Sequence, residues 1–410
     1  MKGFSTKALH SAALKKDPHG ALRMPLYENV AFEFENARAI QFAFEGKSLN
    51  HSYTRISNPT VEDLEQRLRL LTEARGVVAL SSGMAAIANV LLVLAEAGTN
   101  IISSNYLFGN TYSLFEHTLK PWGLAVTYVD MKRPEKVAQA INEKTRAVFL
   151  ETITNPQLQV ADIKKITALA AQTNIPVILD GTVTTPYLFR SKDFGVAIEV
   201  LSTTKYISGG ATTVGGVIID NGNQDWSRCP GLQKASRKYG PYALLAHLRR
   251  ETYRNLGACL APHNAYLQSL GLETLALRID KSCANALAVA RFLQSRQEVL
   301  AVNYPGLPGS PDHETAKSQF GDKFGGILTF TLADREACYK LIDRLAVIRR
   351  ATNINDNKTL ILHPASTIFC EYGEEEKKAL GVPANMIRLS VGIEDCDDII
   401  EDLQQGLETL

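Results

Sequence analysis

The stretch that decides the fold runs from Pro176 to Gly210, PVILDGTVTTPYLFRSKDFGVAIEVLSTTKYISGG. It opens on an apolar run, Pro176–Asp180, that ends in an acid. A second apolar run, Glu199–Ser202, is followed by two hydroxyls and an amine: Thr203, Thr204 and Lys205. Short continuous apolar runs predict strands buried on both faces, as in a parallel sheet covered by helices. Outward from this stretch the pattern recurs. Further strands are predicted at Val77–Leu80, Asn100–Ser103, Ala125–Val129, Ala147–Leu150 and Val214–Asp220. Helical periodicity falls between several of them, at Met84–Ala97, Arg133–Ile141 and Ile163–Gln172. Strands alternating with helices imply βαβ units and a mostly parallel sheet. Ligands of such sheets bind at the carboxyl ends of the strands, where Asp180 and Lys205 stand.

The flanks read differently. Residues 1–57 have weak periodicity and many small turn residues, and are expected to form an arm that packs on something else. Residues 58–250 form the large α/β domain. Residues 251–410 read as a smaller one, with helices expected at Ala258–Leu277, Ala284–Arg296, Arg335–Leu345 and Asp398–Leu407, and a strand at Gly326–Thr331. Lys and Arg number 44 against 43 Asp and Glu, a balance that argues against a nucleic-acid or anionic-membrane binder. No apolar stretch approaches the roughly 18 residues that would cross a membrane, and the polar N-terminus does not resemble a signal peptide. The six cysteines are widely spaced, with no C-x-x-C pair and no metal signature, as expected of free thiols in a reducing compartment. The expectation is a soluble cytoplasmic protein without a metal.

Three groups at strand ends could do chemistry. Ser81-Ser82-Gly83-Met84 opens a helix and offers backbone N–H groups to a phosphate, although Ser-Ser-Gly is also an ordinary helix cap. Asp180 at the end of its strand is a candidate acid, although an Asx turn into Gly181 would place it there too. Lys205, with Ser202 and Thr204 beside it, is either a solvated turn lysine or a Schiff-base lysine with hydroxyls for a phosphate. Together the three match the needs of pyridoxal phosphate: an amine for its aldehyde, an acid for its pyridine nitrogen and donors for its phosphate.

The chain resembles the Cys/Met metabolism family of fold type I pyridoxal-phosphate enzymes, which includes cystathionine γ-synthase and methionine γ-lyase. The resemblance rests on Tyr53–Thr60 (YTRISNPT), Ser81–Ile87 (SSGMAAI), Ser202–Gly210 (STTKYISGG), Thr212–Asp220 (TTVGGVIID), Gly271–Leu277 (GLETLAL), Val302–Leu307 (VNYPGL), His363–Thr367 (HPAST) and Ile387–Asp395 (IRLSVGIED). TTVGG, VNYPGL and HPAST point to its O-acetylhomoserine sulfhydrylase branch. The resemblance implies that Lys205 forms the Schiff base and shuttles protons and that Asp180 keeps the pyridine nitrogen protonated. It implies that Gly83, Met84, Ser202 and Thr204 hold the phosphate and that Asn155 sits near the 3′-oxygen. Tyr53 and Arg55 would reach the phosphate of a neighbouring subunit's cofactor in a homotetramer. Arg388 would clamp the substrate carboxylate, with Asn353 as a second contact. Read alone, Arg388 could instead be an outward residue on a strand, and Tyr53 and Arg55 could pair with surface acids.

Four positions depart from the family's pattern. Phe108 replaces a Tyr that stacks on the cofactor and is a candidate acid for the leaving group. Asp180-Gly181-Thr182 replaces Asp-Asn-Thr, Gly210-Ala211 replaces His-Gly, and Phe369 replaces a His. The expectation is a less polar and roomier shell, suited to expelling acetate from O-acetylhomoserine and open to a sulfur donor larger than sulfide, such as the C-terminal thio group of a small carrier protein. The alternatives are a methionine or cystathionine γ-lyase, a cystathionine γ-synthase and, from another class, a non-catalytic pyridoxal-phosphate-binding protein.

Overall fold

The structure is a computed structural model and describes residues 3–10, 17 and 19–410. Residues 1, 2, 11–16 and 18 of the expected arm lie outside the described residues. The apolar runs of the first half assemble into one seven-stranded sheet: β1 (Gly76–Leu80), β2 (Asn100–Ser104), β3 (Ala125–Val129), β4 (Thr145–Glu151), β5 (Val177–Asp180), β6 (Ile198–Leu201) and β7 (Gly216–Asp220), in the order β1-β7-β6-β5-β4-β2-β3. The β3-β2-β4-β5-β6 block is parallel. β7 runs antiparallel between β6 and β1, the one departure from the expected direction.

Both faces of the sheet are covered, and β4 shows how. Val148 and Leu150 enter one apolar cluster with Ile163, Ile166 and Val289, while Ala147 and Phe149 enter another with Ala86 and Val90. Alternate residues of a strand point to opposite faces, so an uninterrupted VFL run is what a strand between two helix layers requires. The edge strand β3 is covered less completely and carries Thr127 and Tyr128 among its apolar residues.

The second half contributes a five-stranded sheet made of β8 (Ala301–Asn303), β9 (Ile327–Thr331), β10 (Arg349–Arg350), β11 (Leu360–Leu362) and β12 (Met386–Ser390), in the order β10-β11-β12-β9-β8. Leu328, Phe330, Ile387 and Leu389 of this sheet join the same cluster as Leu150 and Leu179, so the two sheets share a core. The helical stretch expected at 258–277 is corrected. One helix spans Pro262–Glu273 and a second spans Leu275–Gln294. Pro262 sets the first start, since proline fits the first turn, and Cys259 is held extended by a bridge to Leu80. At the break the Gly271 carbonyl accepts from Thr274 N–H at 3.3 Å and from the buried Arg278 guanidinium at 2.6 Å. Apolar periodicity runs through this break, so spacing alone did not reveal it.

Candidate active site

A cavity of about 480 Å³ lies where the carboxyl ends of β4, β5 and β6 meet the start of the helix Gly83–Leu94 and the last strand of the small sheet. Its wall includes Gly83, Met84, Ser202, Thr204, Phe108 and Asn155. Asp180, Lys205, Asn353 and Arg388 line it too. Ten of the twelve residues expected at the site therefore share one cavity, although they span more than 300 positions in sequence.

Each is placed by local chemistry. Ser82 caps the helix Gly83–Leu94, its hydroxyl accepting from Ala85 N–H at 3.1 Å, and it also lines the cavity. The cap and the phosphate cradle are thus the same turn. Gly83 is needed for close approach: a Cβ there would stand 2.7 Å from the Cβ of Ser202. The hydroxyl of Thr204 accepts from Gly215 N–H at 3.0 Å, tying the loop after β6 to the entry of β7.

Asp180 does make the Asx turn, accepting from Thr182 N–H at 2.9 Å, and it also faces the cavity. Burial raises its carboxyl above the ordinary range, opposed by the Thr182 hydrogen bonds and the Lys205 charge. Lys205 Nζ donates to Asn353 Oδ1 at 2.6 Å. Burial and then Arg388 push its amine down to about 8, against the pull of Asp356 and Asp180. A lysine poised near neutrality suits carbonyl chemistry, because only its neutral form attacks.

Arg388 lies on β12 and points inward, 2% exposed, which excludes the outward reading. It donates to Asn155 Oδ1 at 3.0 Å and to the carbonyls of Thr352 and Asn353. Its Nε has no partner among the described residues. Burial lowers its guanidinium to about 9. A buried guanidinium with no carboxylate side chain paired to it among the described residues has the chemistry to receive a ligand carboxylate.

Two expected residues are elsewhere. Tyr53 is 40% exposed and Arg55 donates to the Arg254 carbonyl at 2.7 Å, its guanidinium 5.4 Å from the Tyr53 ring centroid. Neither lines the cavity.

Of the ionisable lining residues, one escaped the sequence reading. Glu151 ends β4 in register with Asp180. Its Oε1 accepts from Phe108 N–H at 2.7 Å and its Oε2 from Asn155 N–H at 3.2 Å. It thus fixes the loops that carry the ring-stacking and 3′-oxygen candidates. Burial and the neighbouring Asp180 push its carboxyl up to about 8. The rule that singled out Asp180, an acid at the end of an apolar strand, applies to the VFLE run as well.

The expected roomier shell is corrected. Gly181, Gly210 and Ala211 do not line the cavity. A Cβ at 181 would strike Oε1 of Glu199, and one at 210 would come within 2.7 Å of Asn357 Nδ2. Phe369 is fully buried and packs against Tyr372. The two glycines are matched by neighbours that fill their space, and Ala211 is exposed. Phe108 alone among the four departures changes the cavity wall.

The residues present fit pyridoxal phosphate. The cavity joins a partly buried amine, a partly buried carboxylate, a helix N-terminus and a guanidinium whose Nε has no partner among the described residues.

Comparison with known proteins agrees. The profile of the Cys/Met metabolism PLP-dependent enzymes matches residues 5–408. The L-methionine gamma-lyase of Fusobacterium nucleatum subsp. polymorphum is 36% identical over 411 residues, covering 100% of this chain and 98% of that protein. A Campylobacter jejuni structure, named as an O-acetylhomoserine (thiol)-lyase, is 36% identical with a TM-score of 0.93, over 99% of this chain and 100% of that one. It carries N′-pyridoxyl-lysine-5′-monophosphate. The O-acetylhomoserine sulfhydrylase of Wolinella succinogenes, described with a novel mechanism of sulfur transfer in methionine biosynthesis, is 49% identical with a TM-score of 0.77. That match covers 86% of this chain and 98% of the other.

Proposed function

We propose, from the premise that this chain belongs to the Cys/Met metabolism PLP-dependent enzyme family, that it catalyses γ-replacement on O-acetylhomoserine, a sulfur nucleophile displacing acetate to give homocysteine. Pyridoxal phosphate supplies an electrophilic aldehyde and an electron sink when bound. The chain's residues supply the rest. Arg388 binds the substrate carboxylate and so sets which bonds face Lys205. Lys205, its lowered pKa of about 8 making the neutral amine accessible near neutrality, takes the proton from Cα and returns one at the end of the cycle. Asp180 holds a proton on the pyridine nitrogen, where burial makes an ion pair stronger than in water. Glu151 keeps Phe108 and Asn155 in place.

The observation that carries this reading is Phe108. Its ring lines the cavity but has no proton to give, and the ionisable lining side chains are Glu151, Asp180, Lys205 and Arg388. Lys205, Asp180 and Arg388 each already have a task, and Glu151, which burial keeps protonated near neutrality, is the one remaining lining acid, with both oxygens already accepting backbone N–H groups. Expelling a thiolate from Cγ benefits from an acid, whereas acetate is a weak base and leaves without one. The cavity therefore favours an acyl ester over a thioether, and the sulfhydrylase over the γ-lyase.

A second reading concerns the sulfur donor. Val214 lines the cavity and is 55% exposed, so an apolar rim opens to the surface. A carrier protein's C-terminal thio group could enter past it, and the sulfhydrylase that is 49% identical is described with a novel sulfur transfer. The test uses protein loaded with pyridoxal phosphate and given O-acetylhomoserine with and without sulfide. Homocysteine formed only with sulfide supports the proposal with sulfide as donor. Abundant 2-oxobutanoate that sulfide does not divert points to a carrier. Faster 2-oxobutanoate release from methionine than any product from O-acetylhomoserine overturns the proposal in favour of the lyase.

A further inference from the structure

Glu199 is fully buried on β6, yet it does not line the cavity, and no cation among the described residues pairs with it. Oε2 accepts from the Ser191 hydroxyl at 2.5 Å, and Ser191 in turn accepts from Asn221 Nδ2 at 2.9 Å. Oε1 has no hydrogen-bond partner among the described residues. A buried carboxyl oxygen left unpaired is costly, so the position calls for an explanation. Gly181 gives it. A Cβ built on Gly181 would strike that Oε1, and would lie 3.0 Å from Leu201 Cδ2. The backbone of Gly181 is outside the left-handed region, so conformation does not demand glycine there. Space does.

Gly181 is also the hinge of the turn that aims Asp180. Its N–H donates to the Val200 carbonyl at 3.0 Å, and its carbonyl accepts from Thr184 N–H at 3.1 Å and Thr185 N–H at 2.7 Å. Within the same turn Thr182 N–H holds Asp180 Oδ1, and the Thr182 hydroxyl accepts from Ser202 N–H at 2.8 Å. The turn therefore joins the cavity's acid to a residue of its phosphate cradle, and the Glu199 side chain is the floor on which it rests.

We infer that Glu199 is a positioning residue for the cofactor's acid: its carboxyl occupies the space of the side chain missing at Gly181, and the two positions act as one unit that fixes Asp180. The inference rests on the family membership and not on the choice between γ-replacement and γ-elimination.

The test compares Gly181→Ala, Glu199→Ala, their double variant and Glu199→Gln, each prepared free of cofactor. The readouts are the dissociation constant of added pyridoxal phosphate, the visible absorption maximum of the loaded protein, and the thermal midpoint of the cofactor-free protein. Gly181→Ala is expected to weaken cofactor binding about tenfold or more, because a rigid turn meets an occupied space. Glu199→Ala is expected to weaken it several-fold and shift the absorption maximum. Contacting residues couple, so the double variant is expected to bind tighter than Gly181→Ala alone, within about threefold of the parent. Glu199→Gln keeps the volume and the Ser191 bond and is expected to bind as the parent does.

Three results overturn the inference. One is a double variant no tighter than the product of the single effects. Another is a Glu199→Ala protein with a lower thermal midpoint but unchanged affinity and spectrum, which marks a merely structural carboxyl. The third is a Glu199→Gln protein as weak as Glu199→Ala. If Gly181→Ala does not fold, the Glu199→Ala and Glu199→Gln pair still decides.

Discussion

At the scale of single residues, one ring separates the competing activities. Phe108 lines the cavity as a phenyl group held by its own N–H to Glu151. Restoring a hydroxyl in Phe108→Tyr would place a weak acid over the substrate without disturbing that backbone bond. The expected outcome is a rise in 2-oxobutanoate from a thioether substrate of about tenfold or more, within the usual reach of one general acid. The O-acetylhomoserine rate should move less. An unchanged ratio of the two rates would show that the missing phenol does not decide between them. Arg388 gives a second expectation. A point-charge amine cannot reproduce a bidentate fork, so Arg388→Lys should raise KM for the amino-acid substrate by about a hundredfold, at two charge-assisted bonds of about 1.5 kcal/mol each. These residues were legible because their types are few and their motifs are local. Glu199 was not, because a carboxylate inside an apolar strand is only informative once its register is known, and Glu151 was missed although it ends its strand as Asp180 does.

At the scale of elements, the strand ends concentrate charge that burial disfavours, and stability should show it. Glu151 and Glu199 are each pushed up to about 8 from an ordinary 4.5, chiefly by burial. Below pH 4.5 each is protonated in both the folded and unfolded chains and costs nothing. Between 4.5 and 8 the unfolded chain ionises while the folded one resists, so the stability they contribute is lost as pH rises through that window. Lys205 acts at higher pH: its amine sits near 8 against an ordinary 10.5. The burden of burying its charge is present below pH 8 and is relieved between 8 and 10.5. The cofactor-free protein should therefore lose stability between pH 5 and 8. Glu199→Gln should flatten that slope by up to about 1.4 kcal/mol per pH unit, the effect of one proton. Denaturant unfolding at several pH values measures it, and parallel slopes in parent and variant would show that Glu199 ionises freely. The elements themselves were largely legible from apolar runs. Direction and breaks were not: the antiparallel β7 is set by its sheet partners, and the interruption at Thr274 shows only in the bonds that Thr274 and Arg278 give to the Gly271 carbonyl.

At the scale of the whole molecule, the arm is the part whose reading depends on a second copy. Asn58 caps the helix Pro59–Thr72 and donates to the Tyr27 carbonyl at 2.9 Å, and a bridge joins Ala31 to Tyr53, so this stretch of the arm is held on its own subunit. Beyond those ties it leaves apolar surface uncovered. The helix Ala37–Glu45 buries none of its residues, while Phe44 is 58% and Leu49 82% exposed. A helix with an apolar stripe and no cover within its own chain calls for a partner, and a twofold assembly of identical chains is the commonest way to supply one. We propose that two subunits exchange arms, that Tyr53 and Arg55 complete the neighbour's phosphate site, and that two such dimers make the tetramer. Complementation tests this directly. Lys205→Ala subunits lack the amine, and Arg55→Ala subunits lack the donated guanidinium. Each should be nearly inactive at limiting pyridoxal phosphate. A mixed dimer made by co-expression holds one site with both groups and one with neither. Random pairing makes half the dimers mixed, so activity should recover to about a quarter of the parent's at equal expression. Sedimentation of doubly tagged protein confirms that mixed species form. If they form and activity stays at the level of the single variants, Arg55 serves its own subunit, and the exposed arm needs another explanation.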